Sequence, residues 1–163
     1  MKKYIMLLLA GLMTLSLAAC GQSAPEPEPR RFELTDVQAM ADAGVFSEEL
    51  ESLDADIAFA LYVLADYGLT LKDLTDAAVL RSAGATCEEA AVLLFDVEDW
   101  QEKVELAEQA LKDYVQSQID TNVDYRPGEI PKLENAVVES RGNRVILVVA
   151  NDVEAAKEML EIK

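Results

Sequence analysis

The densest run of side chains able to hold a hard cation is Asp120-Thr121-Asn122-Val123-Asp124. Alternating oxygen donors in a loop are how calcium sites gather their ligands, so Asp120, Asn122 and Asp124 are candidate calcium ligands. The stretch is not an EF-hand, which wants Gly at its sixth position and Glu at its twelfth; here those are Tyr125 and Pro131. Tyr125 and Arg126 follow at once in a long connection, where an aromatic beside an arginine is a candidate interaction surface. Packing of Tyr125 over a sheet is the competing expectation. Glu88 and Glu89 are sequence neighbours whose side chains diverge on a strand or a helix, so they cannot readily share a proton as a catalytic pair. A nucleophilic Cys87 would need a base or a cationic neighbour, and the chain contains no histidine. That absence removes Ser-His-Asp triads, Cys-His dyads and His-based zinc sites together. No catalytic residues are assigned, and the chain is not expected to be an enzyme.

The ends of the chain bear on where these groups work. Met1-Lys2-Lys3 and the apolar run from Ile5 to Leu17 have the layout of an export signal, too short for a mature membrane span of roughly 20 residues. Leu17-Ala18-Ala19-Cys20-Gly21 then resembles the lipobox of bacterial lipoproteins. The resemblance implies a signal peptide over residues 1–19, a lipid on the Cys20 sulfur with acyl chains such as palmitate, and a protein held at the extracytoplasmic face of the cell membrane. Two acyl chains anchor stably where one does not, since each buried CH₂ contributes roughly 0.8 kcal/mol. Residues 20–31 carry alternating Pro and Glu, which form neither helix nor central strand, and are expected to act as an extended tether. At about 3.1 Å per residue, the ten residues after Gly21 would reach roughly 30 Å.

Residues 32–163 are enough for one domain with its own core. With Cys20 alkylated, Cys87 has no partner, so packing alone must hold the fold. The whole chain has 14 basic and 31 acidic residues and a net charge of −17. Loss of Lys2 and Lys3 with the signal leaves 12 basic against the same 31, about −19. Such a surface repels phosphate, so nucleic acid is not an expected partner, while basic proteins, cations and neutral ligands stay open.

The elements that must position these residues follow from periodicity. Thr35 to Gln38 and Ser47 to Leu50 have the spacing of capping boxes and predict two helix starts, the first helix ending near Gly44. From Asp54, Ile57, Ala60, Leu61, Leu64 and Tyr67 predict one apolar helix face, widened by Phe59 and Val63 and ended at Gly68. Ala77 to Ser82 and Ala90 to Phe95 predict two short strands about a turn, although Thr86 and Glu89 also have capping-box spacing. Trp100, Val104, Ala107, Leu111, Val115 and Ile119 predict a long helix from about Val97 to Asp120. Arg141-Gly142-Asn143 predicts a tight hairpin between Asn135–Ser140 and Arg144–Val149. The second of those strands is apolar on both faces and expected to be central. Asp152 to Ile162 predicts a closing helix with Ala155, Ala156, Met159 and Leu160 inward. The expected class is α+β: an antiparallel sheet of about four strands with helices packed on one face, preceded by a helical N-terminal segment.

Gly84 to Val92, Tyr125-Arg126-Pro127, Asn135 to Val138, and Gly142 ahead of Val145 to Val149 together resemble the bacterial lipoproteins grouped as domain of unknown function 4358. The likeness runs from about Ser47 to the end, with a small residue expected where Cys87 stands. It implies a Gram-positive surface lipoprotein acting beside membrane-embedded machinery that modifies cell-surface polymers, and conveys no activity. The favoured reading is an accessory protein-interaction module anchored through Cys20, with a membrane-associated protein as partner and no cofactor. The alternative is a binding protein for a small ligand or calcium. An enzyme using carboxylates and tyrosine is a third class, supported only by residue supply.

Overall fold

The computed structural model describes residues 29–163. The expected signal, Cys20 and most of the tether lie outside the described residues. The domain begins with α1 (Leu34–Asp42), which starts two residues earlier than Thr35 would have it. Asp36 takes the backbone N–H of Glu33 at 2.8 Å, so the box closes on Glu33.

Five strands form one antiparallel sheet: β1 (Glu51–Leu53), β2 (Asp76–Arg81), β3 (Glu89–Leu94), β4 (Val137–Arg141) and β5 (Arg144–Val149), in spatial order β1-β2-β3-β5-β4. The α+β class with an antiparallel sheet is as expected, with two differences. The fifth strand, β1, lies where Ser47 predicts a helix start. Ser47 instead gives its backbone N–H and hydroxyl to Glu88, both at 2.8 Å, and no helix begins there. The three residues of β1 show no apolar alternation and pair Glu51 with Arg81 through the backbone ladder.

The second difference is that helices cover both faces of the sheet, not one. On one face Ala91 and Leu93 of β3 and Val145, Leu147 and Val149 of β5 pack under α2 (Ala55–Leu61), α3 (Trp100–Asn122) and α4 (Ile130–Glu134). On the other, Ala90, Val92, Ile146 and Val148 meet Phe32, Met40 of α1, and Ala156 and Leu160 from α5 (Val153–Met159) and its end. The cause is in β3 and β5 themselves. Both are apolar at successive positions, and a strand with two apolar faces needs a layer on each.

The predicted helix from Asp54 is broken. α2 ends at Tyr62, Val63 turns through a left-handed φ of 47°, and a single 3₁₀ turn (Leu64–Tyr67) runs to Gly68. The break turns Ile57 and Val63 outward, 51% and 48% exposed, and carries Tyr62 and Leu64 fully inside. α3 carries its predicted stripe, with Val104, Ala107, Leu111 and Val115 buried, and runs on through Asn122. The β4–β5 hairpin forms as predicted, with Gly142 at a φ of +58° that favours glycine.

The ladder fixes the direction of every element. Glu89 pairs with Val149 and Leu94 with Arg144, so the hairpin turn and the start of β3 lie at opposite ends of the sheet, about 20 Å apart. The chain enters at the hairpin end: the Arg31 side chain lies beside Gly142, and Arg141 Nη1 donates to the Arg30 carbonyl at 3.1 Å.

Candidate functional site

At the other end of the sheet, residues 82–88 join β2 to β3 in a loop fastened by carboxylates and hydroxyls. Ser82 Oγ accepts the backbone N–H groups of Gly84 at 3.1 Å and Thr86 at 3.0 Å, and donates to Glu48 at 2.6 Å. The Thr86 hydroxyl also donates to Glu48 at 2.6 Å and accepts the N–H of Glu88 at 3.1 Å. These hydroxyls, Ser82 first, hold the Glu48 carboxyl below its ordinary range. Glu129, just ahead of α4, takes the N–H of Cys87 at 2.9 Å. With its polar groups engaged on several sides, the loop is a fixed wall.

Glu88 and Glu89 diverge, as their adjacency requires, and both are buried. Glu88, fully inside, accepts Ser47 twice and Lys132 Nζ at 2.9 Å. Glu89 points toward α3, accepting the Tyr62 hydroxyl in a short hydrogen bond, the Tyr114 hydroxyl at 2.9 Å and Arg81 Nε at 3.1 Å. The two tyrosine rings meet edge to face at 5.1 Å between centroids. Burial lifts the Glu89 carboxyl above its ordinary range against the pull of these donors. Burial first, then the neighbouring Glu89, pushes both tyrosine hydroxyls upward, so they serve as hydrogen-bond donors.

Between this loop and the last turns of α3 opens a cleft of about 300 Å³, bounded by Arg81 and Glu89 on β2 and β3, Cys87 and Arg126 beside them, and Gln118 and Thr121 on α3. Arg126 Nη1 donates to the Thr86 carbonyl at 3.3 Å across the mouth. Burial raises the Cys87 thiol above its usual value, opposed by the nearby Arg126, so the thiol is not set up as a thiolate nucleophile.

The predicted site residues separate. Asp120 and Asn122 lie in the last turn of α3 rather than in a loop, because the helix continues through Asn122. Asp120 accepts from Gln116 at 2.9 Å, while Asn122 is buried and donates to the Gln118 carbonyl at 2.7 Å. Asp124 lies exposed beyond the helix. Among the described residues no group of three or more His, Cys, Asp or Glu is placed to hold a metal ion. Tyr125 is 86% exposed and does not pack over the sheet. Arg126, its neighbour, does reach the cleft. Arg81, Tyr62, Tyr114 and Lys132 were not marked by any local pattern. The available signal was the acidic pair at the head of an apolar strand, which needs buried partners from elsewhere in the chain.

The sequence model of the family described as Domain of unknown function (DUF4358) matches residues 63–150, more than half of the chain. The matched span holds β2 through β5 and every residue bounding the cleft. No curated protein and no solved structure matches the chain. By the extent of that match, the chain belongs to the DUF4358 family.

Proposed function

We propose that this chain is a membrane-tethered, extracytoplasmic binding module that recognises its partner through the cleft between the 82–88 loop and the end of α3. The carrying observation is the position of that cleft, at the end of the sheet remote from Arg30 and Arg31, where the chain enters the domain. A domain tethered through Cys20 would present the cleft away from the membrane. Binding is favoured over turnover because the buried carboxylates beside the cleft are already occupied: both oxygens of Glu88 and of Glu89 accept hydrogen bonds from the domain itself. Neither is left to work as a general base.

The test is photo-crosslinking of the full chain in its own membrane, with the reactive side chain placed at exposed Thr121 on the cleft or at Asn143 in the hairpin turn. A reproducible adduct from Thr121 and none of the same mass from Asn143 is the expected result. Adducts confined to the hairpin end would overturn the assignment. Mass spectrometry of the purified protein should find an acylated N-terminal Cys20; an unmodified thiol there removes the anchor.

A further inference from the structure

Two arginines bordering the cleft keep unused N–H donors, and these point to the chemistry of what it holds. Arginine carries five N–H donors and no acceptor. Arg81 commits Nε–H to Glu89, with the Tyr114 hydroxyl beside its guanidinium, so at least three N–H groups remain. Arg126 commits one to the Thr86 carbonyl and lies near the Cys87 sulfur, again leaving three. Glu88 and Glu129 share Lys132 and Glu89 pairs with Arg81, while Arg126 forms no ion pair among the described residues. The cleft is thus bordered by two guanidinium groups with unused N–H donors, one of them outside any ion pair among the described residues, in a chain whose net charge is −17.

We propose that the cleft binds a carboxylate, gripped by the guanidinium groups of Arg81 and Arg126. This rests on the cleft being the recognition surface. Planar guanidinium groups match a carboxylate with parallel N–H···O bonds. The acidic surroundings favour a single negative charge over a multiply charged phosphate, since every added charge meets the field of the whole domain. The carboxylate belongs either to a small organic acid or to the C-terminus of a peptide chain.

The experiment follows backbone amide NMR shifts of the full chain in detergent micelles. It is titrated separately with acetate, N-acetyl-alanyl-alanine, the same dipeptide as its C-terminal amide, and inorganic phosphate. Saturable shifts at Gly84, Cys87 and Asn122 with the dipeptide acid, and none with its amide, are expected. Arg126→Gln should weaken that binding about tenfold or more, with Arg126→Lys between the two, because a lysine restores the charge without the fork. A dipeptide acid that binds much more tightly than acetate identifies a chain terminus; equal binding identifies a small acid. Equal response to acid and amide overturns the carboxylate while leaving the cleft as the recognition surface. Tighter binding of phosphate also overturns it. No shift at these amides with any probe removes both this assignment and the reading it rests on.

Discussion

The two ends of the sheet use arginine in opposite ways. At the hairpin end Arg141 is almost wholly committed: Nε to Glu139 at 2.7 Å, Nη1 to the Arg30 and Leu160 carbonyls at 3.1 and 2.8 Å, and Nη2 to the Glu161 carbonyl at 2.9 Å. Its guanidinium also lies 4.4 Å over the Phe32 ring. At the cleft end Arg126 is exposed and makes one long bond to a carbonyl. Arg141 closes the structure where the chain enters, whereas Arg126 leaves donors facing an open space. Side chains of one type thus separate into a structural clamp and a candidate recognition group by how many of their donors the domain itself occupies.

The cleft end also contains its own clamp, and breaking it should give the largest effect. Lys132→Met leaves the fully buried Glu88 with only Ser47 as partner. Removing one side of a buried pair destabilises by about 3–5 kcal/mol. A urea-unfolding free energy within about 0.5 kcal/mol of the parent would show that the Lys132–Glu88 pair is not a clamp. Arg141→Ala should come next, at about 2–3 kcal/mol, because it orphans chain-end carbonyls and loses the ring contact. It should leave cleft amide shifts in place, and their displacement would break the contrast between the two ends.

The pH dependence sharpens the contrast from within the cleft. The folded Glu89 holds its proton above the ordinary carboxyl range because it is buried. Between the ordinary value and the raised one, the unfolded chain has released a proton that the folded domain keeps. This group's contribution is therefore fully present below the ordinary value and is lost as pH rises through the raised one. Glu89→Gln should remove that downward slope in urea stability measured across the acid range. An identical slope in both proteins would assign it to other groups.

Much of the sheet was legible because ladder residues are adjacent in sequence: Ala77 to Arg81, Ala90 to Leu94 and the hairpin around Gly142 carry their own pattern. The pattern even contained the double cover, since Val145 to Val149 is apolar at every position. Helices on one face alone would leave half of those apolar side chains uncovered. β1 was hidden because its pairing is made by backbone groups of three residues with no apolar signature. The break at Val63 was hidden because Ile57 and Val63 count as apolar in any periodicity, and only packing decides that Tyr62 goes inward instead. The site was less legible still. Arg126 stood out locally, but Glu89 gains its meaning from Tyr62, Arg81 and Tyr114, three partners spread over more than 50 residues of sequence. The Asp120 to Asp124 run misled because an alternation of oxygens suits a loop, and α3 continues through it.

The smallest stability effect is the most discriminating. Arg126→Gln removes an exposed side chain with one 3.3 Å bond to the loop, so unfolding should change by no more than about 0.5 kcal/mol. If instead it destabilises as much as Arg141→Ala, then Arg126 is a second clamp, holding Thr86 and the 82–88 wall, and the apparent spare donors are incidental to a structural role. If stability is unchanged while anion-dependent shifts at Gly84 and Cys87 disappear, the effect belongs to recognition. Structure then has no use for a charged group at that position, and an unpaired arginine over a cleft in so acidic a chain is accounted for by what it holds.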